Sequence, residues 1–339
     1  MKFGAIPVDE ALGGIVAHAV RMDGLVLKKG ETIGAAQIDA LKAAGVFDIV
    51  VAKAENGDVG EDDAALRLAQ TVAGHHVSVE KPFTGRSNLF AEQAGVLMID
   101  TTAIDGINDI DESITVATLE PWRAVVQGEM IGTVKIIPFA VPETLLQQAI
   151  TAAKEAPLHV AAYKPMKIGV VSTLLPGLKP STVAKTLRVM QERIAPAGAT
   201  LVADVRVPHE AGPLAAAIAD VKQESDIIVV FGASAITDRR DVIPAALEMA
   251  GGRIEQLGMP VDPGNLLLVG DIESDGKRKP VLGAPGCARS PKENGFDWVL
   301  QRLLAGLDVK ARDIRRMGAG GLLMEIVQRG QPRAVPPSD

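Results

Sequence analysis

The sequence predicts an α/β protein whose second half is built on a doubly wound, mostly parallel sheet. The composition is 47% hydrophobic but only 3% aromatic, and Ala, Val, Ile, Leu and Gly dominate, a mixture suited to helices stacked on buried sheets. From Lys167 onward the apolar pattern alternates strand and helix. One of its strands, Asp226 to Phe231, is as apolar as the centre of a parallel sheet. Such alternation implies right-handed crossovers.

The first half is less regular and reads as mixed α+β. Val8 to Val20 has a helical pattern, and so has Ala35 to Ala44, which Gly45 stops before the apolar run Ile49 to Ala52. Asp62 to Ala73 is a further predicted helix, closed by Gly74. Gly95 to Ile99, Ile114 to Leu119, Ala124 to Val126 and Ile131 to Ile137 read as strands. Val141 to Lys154 reads as a connecting helix, and Ala156 to Met166, with Pro157 and Pro165, as a boundary.

In the second half the expected strands are Lys167 to Val171, Leu201 to Val207 and Asp226 to Phe231. The expected helices are Thr182 to Ile194, Pro213 to Gln223 and Val242 to Ala250, the last ended by Gly251 and Gly252. Leu266 to Gly270 and Pro280 to Gly283 flank the turn Asp275-Gly276, which predicts an antiparallel pair at the sheet edge. A helix then starts with Ser290 as cap, Pro291 at its first position and Glu293 completing a capping box. Phe296, Val299, Leu300, Leu303 and Leu307 form its buried stripe. The tail Gln331 to Asp339 carries three prolines and reads as an unstructured end or the start of a linker. The expected layout is an accessory region at 1–155 of one or two subdomains, a linker at 156–166, an α/β domain at 167–312 and a C-terminal segment at 313–339.

Charge and cysteine content narrow the function. A net charge of -7 argues against a nucleic-acid surface, which depends on clustered Lys and Arg releasing counterions. Cys287 is the only cysteine, so no intrachain disulfide forms, and a reducing cytoplasm fits best. Asp9, Glu10 and His18 lie where a signal sequence would be basic and then apolar, and no stretch approaches a membrane span. Walker, HExxH and Rossmann glycine motifs are absent from the sequence.

In an open α/β sheet the ligand crevice lies beyond the carboxyl ends of the strands. The loop after Phe231 runs Gly232-Ala233-Ser234-Ala235-Ile236-Thr237-Asp238-Arg239-Arg240-Asp241: small residues, then hydroxyls, then charges at a helix start. Unpaired amides and the helix dipole there suit an anion, with Arg239 or Arg240 adding charge. Gly283-Ala284-Pro285-Gly286-Cys287 is again small and bent and predicted to face the same crevice. Plainer roles stand beside these: Asp241 as an N-cap, Gly283 and Gly286 as turn residues, Cys287 as a small packed residue, Asp238 as a solvated one. His209-Glu210 offers acid–base groups, or an ordinary helix start. Composition and pattern alone reach an anion-binding α/β domain.

At the loop after Phe231 the sequence resembles the molybdenum cofactor biosynthesis domain of molybdopterin adenylyltransferases and molybdopterin molybdenumtransferases. Their Gly-Gly-Thr-Gly or Gly-Gly-Val-Ser loop, followed by Arg-Asp-Val-Thr-Pro-Glu-Ala-Leu, is paralleled by Gly232-Ala233-Ser234-Ala235 and Arg240-Asp241-Val242-Ile243-Pro244-Ala245-Ala246-Leu247. Pro263-Gly264-Asn265 and Gly283-Ala284-Pro285-Gly286-Cys287-Ala288 resemble the molybdenumtransferase segments Pro-Gly-Lys-Pro and Gly-Leu-Pro-Gly-Asn-Pro in order and spacing. Pro7 to Gly13 and Lys29 to Val46 look like pieces of its accessory domains. The likeness is strongest to molybdopterin-binding proteins that are sometimes fused to a nucleotidyltransferase.

The resemblance implies molybdopterin as ligand, bound by Ser172, Thr173, Gly232, Ala233, Ser234, Ala235, Thr237, Arg240, Gly283, Ala284, Pro285, Gly286 and Cys287. It further implies Asp241 as a Mg²⁺ ligand, and Asp241, Asp238 and Glu210 as the local catalytic acids if molybdate insertion or adenylation occurs. The chain departs from the catalytic pattern at four places. Val207-Pro208-His209-Glu210 stands for Val-Pro-Asp-Asp, Ser172 to Lys179 holds no carboxylate, Gly232-Ala233 stands for the double glycine, and Cys287-Ala288 stands for Asn-Pro. The departures favour a carrier that passes the pterin to a nucleotidyltransferase or molybdoenzyme. An active transferase and a nucleotide pyrophosphatase-like enzyme are the alternatives, and the related families suggest a dimer or trimer.

Overall fold

The computed structural model describes residues 1–22 and 24–323, so the proline-rich tail lies outside the described residues. The chain divides into two compact units, Met1–Ala161 and Ala162–Asp339.

In the first unit, Lys2–Pro7, Asp48–Lys53 and Ile15–Val16 form a three-stranded antiparallel sheet. Helix Ala35–Ala43 accompanies it over a small core that includes Val8, Leu41 and Val51. The expected helix from Val8 to Val20 is not formed. A single 3₁₀ turn, Val8–Glu10, ends near Gly13 (φ +75°), and Gly14 lies so close to Val51 that a Cβ there would stand 3.1 Å from it. Ladder pairing with Asp48–Lys53 outweighs the local helical pattern, an override that short segments commonly undergo.

The remainder of this unit surrounds a larger core. Helix Glu61–Val72 buries Ala64, Ala65, Leu68, Ala69 and Val72, and a four-stranded sheet runs Ile114–Thr118, Met130–Ile136, Arg86–Ala91, Val77–Val79. Helix Glu143–Ala152 falls where expected, while helix Thr101–Asn108, capped by the Asp100 carboxylate, and strand Arg86–Ala91 escaped the sequence reading. The expected linker is also corrected. Leu158–Ala162 is a strand in the sheet of Gly95–Ile99, because Leu158 and Val160 are apolar enough to complete that core.

The second unit is an α/β domain whose sheet has strands β1 (Lys167–Leu174), β2 (Thr200–Pro208), β3 (Ile227–Phe231), β4 (Arg253–Leu257), β5 (Leu268–Ser274) and β6 (Lys277–Ala284). Their spatial order is β2-β1-β3-β6-β5-β4, parallel through β6 and antiparallel beyond. The helices are α1 (Pro180–Ile194), α2 (Ala211–Val221), α3 (Val242–Met249), α4 (Gly295–Leu304) and α5 (Ala311–Arg315). Val170, Val229, Phe231 and Leu282 pack with α1 and α4. Val171, Val230 and Val281 pack with α2 and α3 on the other face. Both faces being covered explains why β3 is wholly apolar.

Two details differ from the expected arrangement. The β5–β6 hairpin turns through Asp275 (φ 54°) and Gly276 (φ 70°), as an Asp-Gly turn favours. Yet β6 lies inside the sheet beside β3, and β4 supplies the edge. Helix α4 begins at Gly295, with Asn294 as N-cap and Asp297 closing the capping box, so Ser290 and Glu293 are not its cap. Residues Gly286–Arg289 wind into a 3₁₀ turn first, and Arg193 claims the carbonyls of Ala288 and Ser290.

Candidate functional site

Sheet register brings the predicted loops to one level. Ser172 of β1 pairs with Phe231 of β3, and Phe231 with Ala284 of β6, so the segments after them leave the sheet side by side. The segment after β1 leads to α1 on one face, and the segment after β3 leads to α3 on the other. Neighbouring strands whose connections diverge in this way leave a crevice between them, the usual ligand position in open α/β sheets.

On the α2/α3 side the crevice is organised by Thr173, which is fully buried. Its Oγ1 accepts the Ala233 amide at 2.8 Å and lies 2.8 Å from His209 Nδ1. The His209 amide in turn donates to the Leu174 carbonyl at 2.9 Å, fixing the residue after β2 against the end of β1. Ser234 and Ala235 are exposed on the next loop, and among the described residues their amides have no protein acceptor. Gly232 is required by the turn itself, since a Cβ would stand 2.7 Å from the Ser234 carbonyl oxygen.

Asp241 occupies the N-cap position of α3 but does not cap it. Its Oδ2 instead accepts the amides of Thr237 (2.5 Å) and Asp238 (2.9 Å) and the Thr237 hydroxyl (3.1 Å). These donors, the Thr237 amide foremost, hold the carboxyl below its usual range, and the nearby His209 adds to the effect. Asp238 grips Arg240 through Nε at 2.6 Å, which holds that carboxyl low as well. Arg240 itself is 91% exposed. Glu210 is exposed at the N-cap of α2 without capping it.

The opposite side of the crevice contains two residues the sequence reading missed. Arg289 donates to Thr186 Oγ1 (2.8 Å) and the Gly232 carbonyl (2.9 Å), and its guanidinium lies 5.4 Å from the Phe231 ring centroid. It thereby ties α1, the loop after β3 and the turn after β6 together, and burial pushes its pKa down. Arg193 donates to Asp297 (2.5 Å) and to the carbonyls of Ala288 (2.7 Å) and Ser290 (2.5 Å). The only sequence signal for either was a cation placed amid an apolar stripe or a small-residue loop. Ser172 is buried at 1% exposure, and its hydroxyl has no hydrogen-bond partner among the described residues.

Gly283 and Cys287 have evident packing roles. A Cβ at Gly283 would stand 2.7 Å from Ile236 Cδ1 and 2.9 Å from Leu268 Cβ, so this glycine makes room for the loop after β3 inside the sheet. Cys287 lies 3.7 Å from Asn294 Oδ1, and burial pushes its thiol pKa up, away from the thiolate. Ala284 and Pro285 are buried, while Gly286 faces open space.

No group of three or more His, Cys, Asp or Glu side chains that could hold a metal ion occurs among the described residues. Unpaired amides, an unpartnered buried hydroxyl and nearby guanidinium charge instead suit an anionic, hydrogen-bonding ligand. The fold thus defines a doubly wound α/β domain with a crevice at its switch point.

Residues 169–305 match the family described as the probable molybdopterin binding domain, the family that the loops of this part of the chain resemble. Residues 5–53 match a domain of unknown function, DUF8806. Among curated proteins none matches. The chain is similar to a molybdopterin biosynthesis MoeA protein from Pyrococcus horikosii at 16% identity, covering 90% of this chain and 75% of that one with a TM-score of 0.31. A molybdenum cofactor biosynthesis protein from Pyrococcus furiosus is 12% identical, with 90% and 64% of the chains covered and a TM-score of 0.25. At such scores the overlays carry no residue correspondence. No helix among the described residues is long and apolar enough to cross a membrane.

Proposed function

We propose that the protein binds molybdopterin, or a nucleotide form of it, in the crevice between β1 and β3 and delivers it to a second protein. The observation that carries this reading is a set of unused donors, the amides of Ser234 and Ala235 and the hydroxyl of Ser172, within the matched domain. In this reading the pterin and its phosphate lie across Ser172 to Lys179, Gly232 to Thr237 and Gly283 to Cys287. Arg289 positions the Gly232 carbonyl and contributes positive charge. A nucleotidyltransferase or molybdoenzyme as recipient, a cytoplasmic location and a dimer or trimer belong to the same proposal.

A carrier accounts for the acidic groups better than a transferase. Phosphoryl-type chemistry places carboxylates on Mg²⁺ to spread charge in the transition state. Here Asp241 Oδ2 is engaged by three protein donors and Asp238 by Arg240, and among the described residues no third His, Cys, Asp or Glu joins them in a metal-holding group. Molybdate and Mg²⁺ therefore receive no assigned ligand.

Gel filtration of the protein mixed with molybdopterin, followed by oxidation and fluorescence detection of the pterin, tests the reading. Co-elution is expected, with its loss in Ser234→Trp, whose indole would fill the rim. A folded wild-type protein that emerges without pterin overturns it. Formation of adenylated pterin on adding ATP and Mg²⁺ would replace the carrier with the adenylyltransferase.

A further inference from the structure

The Thr173–His209 pair determines which ring nitrogen of His209 carries a proton, and with it the kind of group the crevice accepts. A threonine hydroxyl has one proton to give. Thr173 is fully buried, and its Oγ1 already accepts the Ala233 amide at 2.8 Å. The acceptor within hydrogen-bond distance for its own proton is His209 Nδ1, at 2.8 Å. Were Nδ1 protonated instead, a buried hydroxyl proton would have no acceptor, a cost that folded proteins rarely bear. The neutral ring therefore keeps its proton on Nε2. A ring in that tautomer presents a donor to a ligand, where a general base would need an acceptor.

The surroundings agree with a donor role. The free amides of Ser234 and Ala235 belong to the loop that Thr173 anchors through Ala233. Asp241, whose carboxyl is held low first by the Thr237 and Asp238 amides and to a lesser degree by His209, has its Oδ2 taken up by those two residues. We propose that His209 Nε2–H donates directly to an oxygen of the ligand's phosphate, so that the crevice holds this anion without a metal ion. The proposal rests on molybdopterin being the ligand. It assigns to His209 a task that a carboxylate could perform only through a bridging cation.

Two measurements test it. In the first, molybdopterin affinity is compared with EDTA and with Mg²⁺ present. Wild type is expected to bind equally in both, and His209→Ala to lose about ten- to a hundredfold, the usual scale for a hydrogen bond to a charged group. His209→Gln, which retains an N–H donor, should recover most of that loss, and His209→Asp should bind only with Mg²⁺. Wild-type binding that vanishes in EDTA, or a His209→Ala variant with unchanged affinity, overturns the proposal while leaving molybdopterin binding intact. Absence of wild-type binding removes the functional reading and this inference together. In the second, nitrogen NMR of the imidazoles in the ligand-free protein, assigned with His209→Gln, should show His209 protonated at Nε2. In Thr173→Val, which removes the hydroxyl, that preference should relax. A ring protonated at Nδ1 in the wild type overturns the proposal whatever the ligand.

Discussion

Replacing Arg193 with Met would test how the turn after β6 is held. The methionine keeps most of the aliphatic volume, so the change isolates the guanidinium. Arg193 and Asp297 are 8% and 10% exposed, and the arginine also holds the carbonyls of Ala288 and Ser290. Removing one partner of a buried pair leaves the other charge uncompensated, which costs about 3–5 kcal/mol. For a unit of this size that corresponds to a fall of roughly 6–20 °C in Tm.

The loss should depend on pH in a direction that can be worked out. Burial is the main effect on Asp297 and holds its carboxyl above the usual range, while Arg193 works against it. Without Arg193 the carboxyl rises further. A group whose folded pKa is raised contributes stability that is full below its unfolded value, about 3.9 for Asp, and lost as pH rises through the folded one. The gap between wild type and Arg193→Met should thus widen from about pH 4 toward neutrality.

The chain has two tryptophans, Trp122 and Trp298, one in each unit. In a Trp122→Phe background, urea unfolding followed by Trp298 fluorescence reports the second unit. The double variant Arg193→Met/Asp297→Asn should regain part of the loss, because Asn keeps an acceptor for the Asn294 amide without a buried charge. A gap below about 1 kcal/mol, or one that does not vary between about pH 4 and 8, would refute the buried-pair argument.

Two further outcomes are expected. Tyr163 is the protein's single tyrosine, and burial pushes it up to about 12. Phenolate absorbance should therefore titrate in one step near there, and the second unit should lose stability as pH rises from about 10, the unfolded value, toward that point. A midpoint near 10 in the folded protein would contradict it. Gly283→Ala should cost about 1–3 kcal/mol by overpacking against Ile236 and Leu268. It should also weaken molybdopterin binding by moving the loop after β3, and unchanged stability would mean that this contact relaxes freely.

The two halves of the chain differed in how legible they were. In the second, long apolar runs bounded by glycine and proline matched nearly every strand and helix, because elements covered on both faces carry their own patterns. Val8 to Val20 misled because its apolar spacing suits a helix while the partners of Ile15 and Val16, Ala52 and Val51, lie more than thirty residues on. β4 was missed because an edge strand of partly buried residues, Arg253–Leu257, lacks a continuous apolar run. Asp241 was legible as a residue at the start of α3, yet its side chain turns back to the Thr237 and Asp238 amides, a choice that backbone geometry makes.

By itself the sequence determined the α/β class of the second unit, the small-residue loops at its strand ends and their resemblance to a molybdopterin-binding domain. Only the tertiary structure decided that β6 runs inside the sheet and that Arg193 and Arg289 lock the loops. It also set the buried Thr173 hydroxyl between the Ala233 amide and His209. Periodicity is a local property, carried by neighbours in the chain. Hydrogen bonds between residues some 36 to 104 positions apart form only after sheet register has brought their strands together.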